Sequence, residues 1–380
     1  MLSLFIFQMY IISHILFDDR KNGFFLVAMV LFFGLLCLVF QIYEYQTFST
    51  LLYKTDEQTY IDLASKDIDD LARSLWILIN KYFFYIEPTS NYYIMKMVNI
   101  PILMIFSYYF YLFLDSKKHA LLLIVFVPYL FVMSVSNLRD LLILFSIVSF
   151  FYFLKKRAYS ISVVFFFLLL FLRPLMAILS ISSLLLVLFF MSNLKFRNKF
   201  LYFVVSLLFF IFAYILIKDY IVSYFNYYTY LYDNSGDVDA RGVVASGFNI
   251  KDFSYALLTY IATPMPHSLI ERIVDGGSEI WGITDDVFRA IGQVLYYIMI
   301  ASIVFITAIK PKKSIEKIKL VPVELKALIL TFILYAPIYA IHLSGITHQR
   351  LKVPFQIAVF IIFIILFFKV NHENEEKGIE

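Results

Sequence analysis

The residues in this sequence whose type and placement can do chemistry are its arginines. Arg139, Arg173, Arg289 and Arg350 stand at or just inside the ends of long apolar blocks. An ionisable side chain at that depth costs about 2.5–3.5 kcal/mol on insertion scales, and it marks a functional site by default. A guanidinium grips phosphate oxygens through two parallel N–H···O bonds and keeps its charge at any physiological pH. Arg272, in the loop segment before Arg289, extends the set. Such a cluster on one side of a membrane suits a lipid-linked pyrophosphate. Plainer roles are open to single members. In Ser136-Asn137-Leu138-Arg139-Asp140, Asn137 can cap the next helix. Asp140 can then reach back as in a capping box, or pair with an arginine. Arg173 can snorkel to the surface, and Arg289 can be an interfacial anchor.

Chemistry on a glycosidic or phosphate bond also needs a proton acceptor. His267 and His348 are candidates, with His342, because imidazole titrates near neutral pH. Glu271 is the leading carboxylate, with Glu87, Asp285 and Asp286 as alternatives. The histidine spacings match no zinc motif, so no metal is expected. Cys37 is the single cysteine, which excludes a disulfide or a cysteine zinc site within one chain. There is no phosphate-cradling glycine loop, and Gly276-Gly277 reads only as a turn. No cofactor is implied.

The elements that must position these residues are membrane helices. Hydrophobic residues make up 62% of the chain and charged ones 16%, against about 25% charged in a soluble domain. The apolar residues come in blocks approaching the roughly 20 residues that span a bilayer. Spans are predicted near 2–17, 24–43, 92–114, 119–136, 140–154, 159–172, 174–191, 200–217, 288–309, 325–342 and 352–368. The expected fold is therefore an all-α polytopic membrane protein of about eleven transmembrane helices, forming one integral domain over 1–380. Leu2–Phe17 lacks the basic lead and the cleavage site of a signal peptide, so it reads as a retained first span.

Lysine and arginine alternate between the two sides. Arg20-Lys21, Lys117-Lys118, Lys155-Lys156-Arg157, Lys195/Arg197/Lys199 and the lysines from Lys310 to Lys319 fall in one set of connections. The positive-inside rule makes that set cytoplasmic. The N-terminus is then outside and the C-terminus cytoplasmic. Arg73, Arg139, Arg173, Arg241, Arg272, Arg289 and Arg350 all fall outside, against the bias.

Two long outer loops follow from this topology. The first, 44–91, carries Leu71, Leu75, Leu78 and Tyr82 on one helical face after a possible Asp70 cap, as an interfacial helix would. The second, 218–287, is a large periplasmic loop before the last three helices. It opens on the tyrosine-rich stretch Tyr220–Tyr232 and passes a Gly/Asp-rich turn. It then carries a semi-apolar segment, Phe253–Ile273, broken at Pro264 and Pro266. Long ordered loops of this kind are usually functional. Tyr224, Tyr227, Tyr228, Tyr230 and Trp281 can stack on sugar rings or anchor the loop at the interface.

Several short motifs resemble one family. They are Glu87-Pro88 followed by Tyr92-Tyr93, Asn137-Leu138-Arg139-Asp140, Leu172-Arg173-Pro174, Thr263-Pro264-Met265-Pro266 and Arg350…Pro354. Together they resemble the bacterial O-antigen and exopolysaccharide polymerases, the Wzy class with its EpsG-like branch. The resemblance implies a metal-independent membrane glycosyltransferase in the bacterial inner (cytoplasmic) membrane. It would join undecaprenyl-pyrophosphate-linked oligosaccharides at the periplasmic face, in lipopolysaccharide or related polysaccharide biosynthesis. It would act without nucleic acid, and a chain-length regulator protein is a partner the resemblance allows. Arg139, Arg173, Arg272, Arg289 and Arg350 would contact pyrophosphate, with His267, Glu271 or His348 as the base. A lipid-linked glycan flippase and an O-antigen ligase are the competing readings.

The topology is open to a direct test. A reporter fused after residue 240 is expected to score as external, and a cytoplasmic score would invert the assignment and remove the arginines from the outer side.

Overall fold

The computed structural model describes residues 2–18, 20–48, 55–65, 74–86, 96–114, 117–191, 204, 250–276, 282–343 and 349–368. Among them the chain is all helical, with no strand. This is the helical solution to a solvent that cannot hydrogen-bond the backbone. The helices are α1 (Leu2–Asp18), α2 (Arg20–Phe48), α3 (Thr55–Ser65), α4 (Ser74–Ile86), α5 (Asn99–Phe113), α6 (Lys117–Phe126), α7 (Tyr129–Ser134) and α8 (Asp140–Lys155). They continue with α9 (Tyr159–Leu172), α10 (Pro174–Met191), α11 (Ile250–Ala262), α12 (Pro266–Val274), α13 (Gly282–Ile309), α14 (Pro311–Lys319), α15 (Val323–Leu343) and α16 (Gln349–Phe367).

Among these, Gly23–Phe48 and Gly282–Ile309 are long and apolar enough to cross a membrane alone. Pro311–Lys319 and Val323–Ile338 make a third span if that pair, bent by 111°, is taken as one. Shorter apolar helices surround them, including Asn99–Phe113, Tyr159–Leu172, Pro174–Phe190 and Leu351–Phe367. The chain is an all-helical membrane protein, but its helices are less uniform than the sequence suggests. Proline explains much of this, because it lacks an N–H and clashes with the preceding turn. The span expected at 119–136 is two helices, α6 and α7, parted at Val127-Pro128. Pro174 separates α9 from α10, and Pro337 and Pro354 lie inside α15 and α16. The span expected at 200–217 lies outside the described residues, as does most of the loop that follows it.

α8 packs against α5, α9 and α15 and is largely buried. Leu141, Leu144, Ile147, Val148 and Phe151 are all buried in it. The bundle turns other large apolar side chains outward. Examples are Phe24, Phe25 and Phe32 on α2, Val163, Val164 and Phe167 on α9, and Val304 and Phe305 on α13. An outward apolar surface of this extent is lipid-facing surface rather than a scatter of single residues.

The connections predicted as outer loops hold more helix than a loop reading implies. α2 runs to Phe48, and α3 follows at Thr55–Ser65 inside the predicted loop 44–91. α4 opens at Ser74, while Asp70 and Leu71 lie outside the described residues. Leu78 and Tyr82 of the expected face are exposed, whereas Trp76, Ile77 and Asn80 are buried on the other side. α13 starts at Gly282, six residues before the predicted span. The start is set by contact with α2. The Glu44 carboxylate accepts from the Thr284 N–H and hydroxyl, each at 2.6 Å. Gly282 has φ +72°, and a Cβ there would collide with that same carboxylate.

α3 is tied in by charge. Glu57 and Lys96 form an ion pair of 2.9 Å with both side chains fully buried. Removing one partner of such a pair leaves a buried charge. Lys96→Met is expected to lower the stability of the purified protein by about 3–5 kcal/mol. Adding Glu57→Gln should restore much of it, as read from thermal unfolding in detergent; equal midpoints for all variants would contradict the pairing.

Candidate functional site

Two interruptions of the helical ladder meet in the bundle. The first is the irregular stretch from Val135 to Arg139, between α7 and α8. Non-helical backbone at membrane depth persists only where protein or a cavity satisfies it. Here the neighbours do so. The Asn99 side-chain amide donates to the Ser136 and Leu138 carbonyls, at 2.6 and 2.7 Å. Glu57 accepts from the Asn137 N–H at 2.5 Å. The Asn137 side chain donates to Asn80 at 2.6 Å. Asn137 is thus not the cap of α8. Arg139 occupies the cap position, with no side-chain capping bond, and Asp140 opens the helix. The capping-box alternative fails because the Asn137 amide is drawn to Asn80 instead.

The second interruption is at Arg173. α9 ends there because Pro174 offers no N–H, and Arg173 takes an extended backbone conformation. The last carbonyls of a helix lack intrahelical partners. Arg139 fills one of them, donating from Nη1 to the Leu172 carbonyl at 2.6 Å. Arg173 turns the other way. Its Nη1 donates to Asp140 Oδ1 at 3.3 Å and to the Tyr335 hydroxyl at 2.9 Å. The chain order Arg139-Asp140…Leu172-Arg173 therefore becomes a reciprocal lock between two breaks. One guanidinium holds a helix-end carbonyl and the other a carboxylate there, in a setting where Arg139 is 9% exposed. The Arg173 and Asp140 side chains are 18% and 13% exposed.

A second pair of arginines gathers at the start of α13. Asp286 lies between Arg289, at 3.5 Å, and Arg272, at 3.7 Å. The Arg289 guanidinium also lies over the Tyr129 ring, 5.6 Å from its centroid. Tyr129 opens α7, the six-residue helix that leads to the first break. At a rise of about 1.5 Å per residue, the two arginine groups are separated by roughly 9 Å of helix. The second group differs in charge. Glu44, Asp285 and Asp286 surround it, with Asp285 accepting from Gln41 at 3.1 Å. Asp286 is fully buried and its second oxygen, Oδ2, has no hydrogen-bond partner.

Of the proposed bases, His267 and Glu271 are both on α12 and both exposed. They lie away from the face that buries Leu269. His348 lies outside the described residues, as do Glu87 and the side chains of Arg350 and His342. Arg350 is in the first turn of α16. Among the described residues, no group of three or more His, Cys, Asp or Glu is arranged to hold a metal.

Two lysines escaped the sequence reading, which among the basic residues weighed arginines and histidines for the site. Lys96 is the partner of Glu57. Lys352 is fully buried and repairs a third break, Thr263–Met265 between α11 and α12. Its ammonium donates to the Ile261 and Thr263 carbonyls at 2.7 and 2.8 Å and stands 4.5 Å from the centre of the Tyr296 ring. Tyr297 and Gln293 donate to the Ala262 carbonyl between them. The signal was present in the sequence, since each lysine interrupts an apolar run.

Lys352→Met is expected to destabilise the protein by about 1–3 kcal/mol for each carbonyl left unpaired. Lys352→Arg, which keeps donors in place, should lose less; a Met variant as stable as wild type in thermal unfolding would overturn the capping role. No protein family, curated protein or solved structure matches the chain, so its function rests on the chemistry of these groups.

Proposed function

We propose that this protein polymerises undecaprenyl-pyrophosphate-linked oligosaccharide repeat units into O-antigen or a related surface polysaccharide. The reaction belongs at the periplasmic face of the bacterial inner membrane. The observation that carries this reading is the convergence of Arg139 and Arg173 where two helix breaks meet. Guanidinia held in an apolar bundle suit an anionic headgroup whose lipid tail lies in the bilayer. The resemblance of the Arg139, Arg173 and Arg350 motifs to the Wzy class supports the same substrate.

In the reaction, a hydroxyl oxygen of the acceptor repeat attacks the anomeric carbon of the donor. A new glycosidic bond forms as the anomeric C–O bond to pyrophosphate breaks. The electron pair leaves with the pyrophosphate oxygen. Guanidinia already in position stabilise that charge as it develops, which is worth most where water is excluded. The energy resides in the pyrophosphate linkage, so no nucleotide sugar is required.

The hydroxyl proton needs an acceptor within hydrogen-bond reach. We assign it to Asp286 in place of His267 or Glu271. Asp286 is the carboxylate beside both Arg272 and Arg289, and one of its oxygens has no partner. His267 and Glu271 are exposed, on the side of α12 away from buried Leu269.

The test is made in the native host. Deletion of the gene is expected to collapse the size ladder of surface polysaccharide to lipid cores bearing one repeat. Wild type restores the ladder. Arg173→Ala should reduce polymer by about 10²–10³-fold at normal protein level. Arg173→Lys keeps the charge and loses the fork, so it should fall between. Asp286→Asn should abolish polymer, and His267→Ala should leave it. Long chains that stay on the carrier lipid would indicate a ligase instead. Repeats trapped on the cytoplasmic leaflet would indicate a flippase.

A further inference from the structure

The helix α14 lies far from the arginines and takes no part in the proposed reaction. It follows α13 at Lys310 and turns into α15 through a bend of 111°. A helix at right angles to a spanning neighbour lies close to the plane of the membrane. Residues 310–326 contain six lysines against Glu316 and Glu324. All of α14 except Ser314 and half-buried Lys317 is exposed.

The order of residues around the helix decides what it faces. At about 100° per residue, Ser314 marks the buried side against the bundle. Ile318 and Ile315 come next, both exposed at 39% and 53%. Lys319 and Lys312 follow, almost in line with each other. Glu316 and Lys313 complete the circle on the far side. Going round, the surface passes from protein, to apolar, to cationic, to mixed polar. That is the sequence of environments met on leaving a bundle through acyl chains, headgroups and water.

Two bonds hold this pose. Lys317 Nζ donates to the Leu366 carbonyl at the end of α16, at 2.5 Å. Lys326 Nζ donates to the Lys319 carbonyl, at 2.8 Å. Both lysines are thereby committed to backbone. Lys312 and Lys319 remain exposed on the cationic side, and Lys313, about 100° round from Lys312, is exposed on the adjoining polar side.

We propose that α14 is a docking helix for acidic phospholipid, with Ile315 and Ile318 in the acyl layer and Lys312, Lys313 and Lys319 on headgroup phosphates. The charge complementarity selects an anionic over a zwitterionic lipid. Because α14 is joined to α13 and α15 and bonded to α16, the bound lipid also fixes the ends of the three helices that carry Arg289, Tyr335 and Lys352.

The test uses the full chain in nanodiscs of phosphatidylcholine, with and without phosphatidylglycerol. Native mass spectrometry reads the lipids that stay bound after release from the disc. Wild type is expected to retain phosphatidylglycerol in preference and to melt at higher temperature in its presence. The triple variant Lys312→Gln/Lys313→Gln/Lys319→Gln should melt as wild type does in phosphatidylcholine alone. It should lose the preference by about a hundredfold, near fivefold for each lysine. Equal retention of both lipids by wild type, or an undiminished preference in the variant, would overturn the proposal. So would binding of soluble polyphosphate through these lysines with no preference for phosphatidylglycerol, which would mean a soluble acidic partner.

Discussion

A backbone carbonyl without a helical partner cannot be left bare inside an apolar bundle. Much of this structure follows from that constraint. The chain breaks its helices at residues 135–139, 173 and 263–265, and each break exposes polar backbone. Each is repaired by a side chain from elsewhere in the sequence. Asn99 and Glu57 serve the first, Arg139 the second and Lys352 the third. Three of these four side chains carry charge: Arg139 and Lys352 donate to carbonyls, and Glu57 accepts from an N–H, where charge-assisted bonds are strong. A chain that breaks its helices in this way therefore gathers ionic groups in its interior.

The charges are not distributed evenly. At the first two breaks, Arg173 holds Asp140 and the Tyr335 hydroxyl while Arg139 holds the Leu172 carbonyl. Around Arg272 and Arg289, three carboxylates stand close by. The first group is suited to an anion and the second to a proton. Helix α7, with Tyr129 under Arg289 at one end and the Val135–Arg139 break at the other, links them. Asp285 in the first turn of α13 also complements its dipole, so it helps to start the helix that carries it.

The elements that carry these groups are tied in by their own contacts. α3 and α4 belong to what reads as an outer loop, yet Glu57 and Asn80 reach the first break from them. α12 is short and amphipathic, buries Leu269 and offers Arg272 to Asp286. The half-exposed Arg272 makes a longer and weaker contact than a good charge-assisted bond of about 2.7–2.9 Å. The second group is therefore the looser of the two.

The sequence by itself determined that this is a helical membrane protein, because block length and hydrophobicity are local properties that a bilayer reads directly. It also singled out Arg139 and Arg173, since a charge inside an apolar run is visible without any partner. It did not reveal that Arg139 would cap Leu172, or that Asp140 would pair with Arg173, because those contacts join segments more than thirty residues apart. For the same reason it passed over Lys96 and Lys352 and favoured His267 and Glu271 over Asp286. Exposure and pairing are properties of packing. Which side of α12 faces the bundle, and which carboxylate lies between two arginines, were decided only when the helices came together.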